Sequence, residues 1–368
     1  MLKRLQAEHG ILYSRGNDTL FGYFGWPTVA KLDGRTLLVG ASGFRTQHID
    51  PFGKTTLFQS NNAGRSWEEP FILNDSPIDD RDVGVTALRD GRVLVSWFSQ
   101  DTRLFAFPPE GFRNPAHQRA PFNPRLQRFD ILPILETWDD AVVAANVGSF
   151  IRIRDTEGRW GHRIEVPVSA PHGPVELRDG RLFFVGSIPF KGDGRRPLTH
   201  RVALSISADG GQTWSEPAPL PSGPEGSCSF CEPHSLELPS GRILVHLRNE
   251  KNFTTWQCHT DDGGKTWSEP KCLTVGAPSH LLRHSSGAII ATYGYRKPGY
   301  GQRVLLSYDD GESYEQWILR DDGFGGDLGY PSTVELDDGT LYSVYYQKTS
   351  PDALNCSLLT SHWELPER

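Results

Sequence analysis

A short turn pattern, S-x-D-x-G-x-T-W, recurs along most of this chain and constrains its fold more than any other feature. Clear copies occupy 207–214 and 260–267, looser copies occupy 60–67 and 307–314, and a worn copy occupies 154–160. Each follows an alternating apolar run, which is typical of a strand that enters a hairpin. The Asp or Asn side chain binds backbone N–H groups of the turn, Gly takes the positive φ, and Trp packs beneath. These residues are therefore predicted to be structural.

A second repeat alternates with the first. It has D-G-R-x-L character, and its glycines are Gly34, Gly91, Gly180, Gly241, Gly287 and Gly339. Each of the six units has room for about four short strands, the content of one propeller blade. Thirty-eight Gly, 27 Pro and 10 Trp with one Met also fit short strands and turns better than helices. The sequence predicts an all-β fold, a six-bladed β-propeller with Asp-box repeats, as a single domain over 1–368.

The unit between Gly91 and Gly180 is longer than the others. Its excess is rich in Pro, Arg and Phe, and we interpret it as a loop inserted near 101–135 in the second blade. Alternatively, it hides a seventh blade. A closed ring also needs its last blade completed, and the strand-like segment 10–16 is predicted to pair beside 356–363 for this purpose.

The net charge of −7 argues against a nucleic acid or an anionic membrane as partner. The N-terminal segment lacks the apolar core of a secretory signal, and no run of about 18 apolar residues occurs. Five cysteines, an odd count, suit reduced thiols better than a disulfide framework. The chain is therefore expected to be soluble and cytoplasmic, while its oligomeric state is left open.

The segments that precede each D-G-R-x-L unit are predicted to line one axial pocket, because the innermost strand of a blade begins at the channel mouth. These segments are 24–28, 81–85, 171–175, 231–235, 278–282 and 329–333. They supply the titratable residues Arg81, Asp82, His172, Glu232, His234, His280 and Tyr330. A purely structural channel does not need so many, so the pocket is predicted to be functional.

With its Asp-box turns and six units, the chain resembles the sialidase family. The resemblance extends over roughly 20–345. Sialidases carry a Glu that opens a strand ending in Arg, which implies roles for Glu232 and Arg248 in CEPHSLELPSGRILVHLRN. A further Arg precedes an Asp-box, as Arg303 does, with Arg296 as a nearby alternative. The nucleophilic Tyr of the family opens the last inner strand, where Tyr330 stands, and Glu232 would take its proton.

One position departs from the family pattern. The first arginine of the family lies in an F-R-I-P motif, and here FGWP places Gly25 at that position. Arg45 or Arg81 are candidates to replace it as substrate-binding residues. The acid/base Asp of the family lies in the loop before the first Asp-box and corresponds to Asp50, only two residues from His48, so either side chain is a candidate general acid.

Histidines form the other departure. His172, His234 and His280 stand at equivalent places in three blades, where neutral imidazoles can bind sugar hydroxyls, transfer protons or ligate a metal. A metal would require the three side chains to converge on one point. No metal and no cofactor are predicted.

We therefore predict a sialidase-like glycoside hydrolase that acts on a terminal acidic sugar of a glycan. A first alternative uses the His-rich pocket on another sugar, as a rhamnosidase or uronidase, or as a polysaccharide lyase that performs β-elimination. A second alternative is a propeller that binds carbohydrate without catalysis.

Overall fold

The computed structural model describes residues 2–103, 131–188, 202–224 and 228–367. These residues form six sheets, each built on four antiparallel strands, which are the blades of a β-propeller. The prediction of an all-β, six-bladed propeller is therefore confirmed.

Four strands meander in sequence order within each of the first five blades. Blades 1 and 2 comprise β3 (Tyr23–Lys31), β4 (Leu37–Arg45), β5 (Lys54–Ser60) and β6 (Phe71–Asn74), then β7 (Asp79–Ala87), β8 (Val93–Gln100), β9 (Gly148–Arg154) and β10 (Ile164–Val166). Blades 3 and 4 comprise β11 (Val175–Glu176), β12 (Leu182–Ser187), β13 (Val202–Ser207) and β14 (Ala218–Pro219), then β15 (Phe230–Glu237), β16 (Ile243–Asn249), β17 (Thr254–Thr260) and β18 (Lys271–Val275). Blade 5 comprises β19 (Ser279–Arg283), β20 (Ile289–Tyr295), β21 (Gly301–Ser307) and β22 (Glu315–Arg320).

Blade 6 joins the two ends of the chain. It comprises β23 (Gly329–Glu335), β24 (Leu341–Gln347), β25 (Ser357–Trp363) and, as its outermost strand, β2 (Ala7–Tyr13). β2 pairs antiparallel with β25, with Ala7 opposite Trp363. The N-terminal strand thus completes the last blade, as predicted from its apolar pattern. A two-residue strand, β1 (Lys3–Arg4), adds in parallel to β22 at the outer edge of blade 5.

All five Asp-box turns connect the third and fourth strands of a blade. In the copy after β13, the Asp209 carboxylate accepts from the Thr213 backbone N–H at 2.9 Å and from the Ser207 hydroxyl at 2.8 Å. Trp267 of blade 4 packs on Phe183 of blade 3, and Trp67 of blade 1 packs on Tyr342 of blade 6. These turns therefore help to seal the seams between blades.

The hydrophobic core lies between adjacent blades. Leu57 and Leu38 of blade 1, for example, form one buried cluster with Val83 and Val95 of blade 2. Near the axis the inner segments approach closely, because a Cβ atom on Gly84 would lie 2.4 Å from the backbone nitrogen of Gly173. Only glycine fits at such a contact, which holds blades 2 and 3 together beneath the pocket.

Residues 101–147 connect β8 and β9 in blade 2. They contain two short helices, α1 (Leu132–Glu136) and α2 (Asp140–Asn146), and Asp139 caps the start of α2 with its side chain. Most of the insertion predicted near 101–135 falls at 104–130, outside the described residues. Within the described part of the chain, no helix has the length and apolar character to cross a membrane.

Candidate active site in the axial pocket

Four inner strands display one residue each through the same backbone distortion. The ladder register shifts around Trp26 in β3, Asp82 in β7, Glu232 in β15 and Tyr330 in β23. All four have positive φ values, between 46° and 54°. Such a bulge changes the direction of a side chain and stores strain, and both features are common at functional sites. The blades thus present an indole, two carboxyl groups and a phenol in equivalent ways.

Tyr330, Glu232 and Arg248 form one hydrogen-bonded group. The Tyr330 hydroxyl donates to Glu232 Oε1 at 2.7 Å. Arg248 Nη1 donates to Glu232 Oε2 at 2.6 Å and to the Tyr330 hydroxyl oxygen at 3.1 Å. The three residues expected from the family pattern to act together are therefore brought together, although they come from two different blades.

The surroundings of Tyr330 favour its protonated form. Burial raises the pKa of Tyr330 well above its usual value, the charge of Glu232 raises it further, and Arg248 opposes the shift. The phenol therefore becomes a nucleophile only when a base removes its proton, and Glu232 is the acceptor already in contact. Arg248 is placed to stabilise the negative charge that forms on the phenol oxygen.

Asp82 lies beside this group with little exposure to solvent. Burial raises the pKa of Asp82 to about 7, with Arg81 opposing and Glu232 reinforcing the shift. Its Oδ1 atom is buried and has no hydrogen-bond partner among the described residues. A carboxyl group in this state can accept from, or donate to, a sugar hydroxyl.

The second arginine beside Tyr330 is Arg296, not Arg303. The Arg296 guanidinium lies 5.5 Å from the centre of the Tyr330 ring and 5.7 Å from that of Phe253. Arg303 instead donates to the backbone oxygens of Arg320 and Gly299, both at 2.7 Å. The expectation that Arg303 binds substrate is therefore wrong, because β21, the third strand of its blade, places its guanidinium among backbone carbonyls.

Arg45 is not available to a substrate, which corrects a second expectation. Its guanidinium forms a bidentate pair with Asp79 at 2.6 and 3.0 Å, and both side chains are fully buried. Arg81 lies 3.8 Å from the same carboxylate and 4.3 Å from the centre of the Trp26 ring. The sequence gives no signal for the Arg45–Asp79 pair, because the two residues lie in different blades.

Two tyrosine rings border Gly25, the position where the family pattern has its first arginine. A Cβ atom on Gly25 would lie 3.3 Å from a ring carbon of Tyr23 and 3.6 Å from one of Tyr346. A side chain at this position would therefore be in direct contact with both rings.

Asp50 is also wrong as a candidate acid. Its Oδ1 accepts from the Phe52 backbone N–H at 2.6 Å, and its Oδ2 accepts from the backbone N–H and the hydroxyl of Thr46. The residue has no exposed surface. Asp50 therefore organises the loop after β4, and its carboxylate is not open to a ligand.

His48, the other candidate acid, reaches the pocket. Its ring lies edge-on to Trp26, with 4.9 Å between the ring centres. His48 Nδ1 lies 2.9 Å from Asp327 Oδ1, a contact between residues 279 positions apart in the chain. Asp327 and Phe253 are site residues that sequence reasoning missed. The only signal for Asp327 is its place three residues before Tyr330.

His172, His234 and His280 do converge near the axis, with ring centres 4.4–5.4 Å apart. The Nδ1 atom of each ring lies within hydrogen-bond distance of a group in another blade. His234 Nδ1 accepts from the Leu281 backbone N–H at 2.9 Å, and His280 Nδ1 faces the Thr333 backbone N–H at 3.4 Å. Burial lowers the pKa of all three histidines well below the usual value. They are therefore neutral side chains that connect inner segments of different blades.

These nitrogens are poorly arranged for a metal. His172 Nδ1 lies 3.0 Å from the Thr28 hydroxyl. His234 and His280 each accept a backbone N–H at Nδ1, so the proton of the neutral ring is on Nε2, which then has no lone pair for a metal. In the described ranges, no group of three or more His, Cys, Asp or Glu side chains has the arrangement of a metal site.

Comparisons with known proteins agree with this architecture. Residues 109–343, more than half of the chain, match the family model described as a BNR repeat-like domain. No curated protein sequence matches the chain. A Dyadobacter fermentans protein of unknown function is similar in structure, with a TM-score of 0.74, 21% identity and 98% of both chains covered.

Two enzymes are similar at lower identity. A mutant of the NanB sialidase from Streptococcus pneumoniae has a TM-score of 0.67 and 13% identity, over 96% of this chain and 70% of that one. An alpha-L-arabinanase from Penicillium chrysogenum has a TM-score of 0.61 and 12% identity, over 98% of both chains. Identities this low show a shared fold and leave substrate open. The chain belongs to the BNR repeat-like domain family and has the six-bladed propeller fold of the sialidases.

Proposed function

We propose that the protein is a glycoside hydrolase of sialidase-like mechanism, which removes a terminal acidic sugar from a glycan bound in the axial pocket. The observation that carries the proposal is the 2.7 Å hydrogen bond from the Tyr330 phenol to Glu232. A buried phenol bonded to a carboxylate and an arginine is a nucleophile with its base and its charge-stabilising group.

The first step follows from this geometry. The Tyr330 oxygen attacks the anomeric carbon while its proton passes to Glu232, and the bond to the leaving oxygen breaks as a general acid of the pocket protonates that oxygen. Water then attacks the same carbon and gives one proton to the base form of that acid, and the proton on Glu232 returns to the phenolate. Two displacements at one carbon retain the anomeric configuration. A phenol also avoids the repulsion that a carboxylate nucleophile would feel from an acidic sugar.

Arg296 is the best candidate to bind the acidic group. Its Nε donates to the Leu328 carbonyl at 2.9 Å, and among the described residues no carboxylate forms an ion pair with it. Arg248 and Arg45, by contrast, already have carboxylate partners at 2.6 Å. One uncommitted guanidinium beside Tyr330 suits a sugar that carries a single carboxylate.

A second candidate is a uronide as substrate. Gly25 departs from the arginine set that the resemblance implies, and Arg45, a candidate replacement, is paired with Asp79. Purified protein should therefore be assayed against sialosides, uronides and rhamnosides, with reducing ends and the ultraviolet absorbance of unsaturated products followed in parallel. Release of a saturated acidic sugar supports hydrolysis. An unsaturated product formed without hydrolysis indicates β-elimination and contradicts the proposal.

Two substitutions test the roles on whichever acidic glycoside is cleaved. Tyr330→Phe removes one hydroxyl and keeps the ring, so kcat should fall on the order of 1000-fold or more. Arg296→Lys should chiefly raise KM, because the bidentate contact is lost and the charge is kept. Near-normal turnover by folded Tyr330→Phe protein would rule out this mechanism.

A further inference from the structure

His48 and Asp327 form a second polar pair in the pocket, distinct from Tyr330 and Glu232. Asp327 Oδ1 lies 2.9 Å from His48 Nδ1. The Tyr23 hydroxyl donates to both oxygens of Asp327 at 3.0 and 3.1 Å, and the Tyr346 hydroxyl donates to Oδ1 at 3.2 Å. Despite these contacts, 42% of the His48 side chain is open to solvent. The imidazole is therefore held firmly on one edge and is accessible on another.

These contacts fix which ring nitrogen carries the proton. Burial would raise the pKa of Asp327, but the imidazole of His48 and the hydrogen bond from Tyr23 outweigh it and hold that pKa well below its usual value. An ionised carboxylate only accepts hydrogen bonds, so His48 Nδ1 must donate. In the neutral ring Nε2 is then an acceptor, and no described residue forms a hydrogen bond with it.

The pair and the nucleophile contact the same indole ring. The Trp26 ring lies edge-on to both His48 and Tyr330, at 4.9 and 6.4 Å between ring centres. The two tyrosines that hold Asp327 are the ones whose rings border Gly25. The departure from the family motif and the His48–Asp327 pair are thus parts of one local arrangement.

We propose that His48 Nε2 gives a proton to the leaving oxygen and then takes one from the attacking water, and that Asp327 is the positioning residue that fixes the tautomer of His48. This inference rests on the proposed hydrolase function. Protonated His48 donates from Nε2 to the leaving oxygen as the glycosidic bond breaks. Neutral Nε2 then takes a proton from the water that attacks the sugar–tyrosine intermediate, which restores the starting state.

The charges around His48 determine its pH range. The groups that face it are Asp327, Tyr23, Arg81 and Arg296, and Arg45 donates to its backbone carbonyl. Desolvation of the imidazole inside the pocket lowers the pKa of His48, Asp327 opposes the shift, and Arg81 and Arg296 reinforce it. Protonated His48 therefore loses its proton as pH rises through its pKa, which lies below about 6.5. We expect kcat/KM for an unactivated glycoside to fall on the alkaline side of that value.

The leaving group provides the first test. His48→Gln is assayed with 3'-sialyllactose and with an aryl sialoside whose phenol leaves without protonation. We expect a loss of 100-fold or more on sialyllactose, a much smaller loss in the first turnover of the aryl substrate, and partial rescue of steady-state turnover by azide. Equal losses on both substrates would overturn the role of His48. If Tyr330→Phe is inactive in that case, the hydrolase proposal still stands.

Asp327→Asn provides the second test, because it keeps the shape of the side chain and removes its charge. The alkaline limb of the pH profile of kcat/KM should move to lower pH by about one unit, because a neighbouring opposite charge shifts a pKa by about 1–3 units. Asp327→Glu should restore part of the shift. Asp321→Asn is the matched control, because Asp321 pairs with Arg4 at the exposed outer edge of blade 5, and it should leave the limb unchanged. An unmoved limb in Asp327→Asn contradicts the positioning role.

A spectroscopic measurement makes the test independent of turnover. Nitrogen NMR of histidine-labelled protein, with His48→Gln used to assign the signal, should show protonated Nδ1 and unprotonated Nε2 near pH 8. Asp327→Asn should mix the two tautomers. A wild-type ring protonated on Nε2 would overturn the inference even if neither sialoside is cleaved. If turnover fails while the Nδ1-protonated form is observed, the choice of substrate is wrong and the tautomer assignment holds.

Discussion

His246 should make this propeller sensitive to acid, and the effect can be calculated from its surroundings. The ring is 1% exposed. Its Nδ1 lies 2.9 Å from the Ser279 hydroxyl in blade 5, and its Nε2 lies 3.1 Å from Gln257 Oε1. Burial lowers the pKa of His246 to about 4, with only partial opposition from the hydrogen bond to Gln257. An unfolded chain restores the value to about 6.5.

A lowered native pKa means that the folded protein binds fewer protons than the unfolded chain at acidic pH. The stabilisation is therefore fully present above about pH 6.5 and is lost as pH falls towards 4. At pH 5 the unfolded imidazole is almost fully protonated, while the native one is about one-tenth protonated. The linkage relation then gives a loss of about 2 kcal/mol between pH 7 and pH 5 from this one residue.

His246→Gln isolates this contribution from other titrating groups, including Asp82, whose raised pKa acts in the opposite direction. Urea unfolding of both proteins at pH 7 and pH 5 gives four free energies of unfolding. The wild-type protein should lose about 2 kcal/mol more than the variant over this interval. Equal losses in the two proteins would show that His246 is not held neutral, and the reasoning would fail.

Two further substitutions test the corrected roles. Arg45→Met should lower the free energy of unfolding by roughly 3–5 kcal/mol, measured by urea denaturation, because it leaves the Asp79 carboxylate buried and unpaired; a change below 1 kcal/mol would contradict the buried pair. Asp50→Asn should lower the thermal midpoint and leave the pH profile of kcat/KM unchanged at temperatures where the variant is folded, whereas a displaced alkaline limb would return Asp50 to the acid/base role.

The blade count and the closing strand could be predicted because they rest on local patterns. A glycine in each D-G-R-x-L unit marks one inner hairpin. The last blade has one open edge, and the alternating run near the N-terminus is the strand that can pair with it. The Tyr330–Glu232–Arg248 group could also be predicted, because the family motif places each residue at a strand end. The local sequence around the bulges carries a second indication. Trp26, Glu232 and Tyr330 each precede a proline, and each is the positive-φ residue of a bulge.

The incorrect predictions concern side chains whose direction or partner is set by the fold and not by the local sequence. Asp50 and His48 lie two residues apart, and only the fold directs one into its own loop and the other towards Asp327. Arg45 appears available in the sequence, but Asp79 from the next blade pairs with it. The hydrogen bonds by which His234 and His280 accept backbone N–H groups of the neighbouring blade also have no signal in the sequence, and the role of these histidines in binding a sugar stays a prediction.

The proposed mechanism requires a covalent bond between Tyr330 and the sugar. Incubation with a fluorinated acidic glycosyl donor, which slows breakdown of a glycosyl–enzyme intermediate, followed by mass spectrometry of the intact and digested protein, detects that bond. We expect one added sugar per chain, mapped to the peptide that contains Tyr330 and absent in Tyr330→Phe. An adduct on another residue, or the same adduct in the Phe variant, would contradict the mechanism.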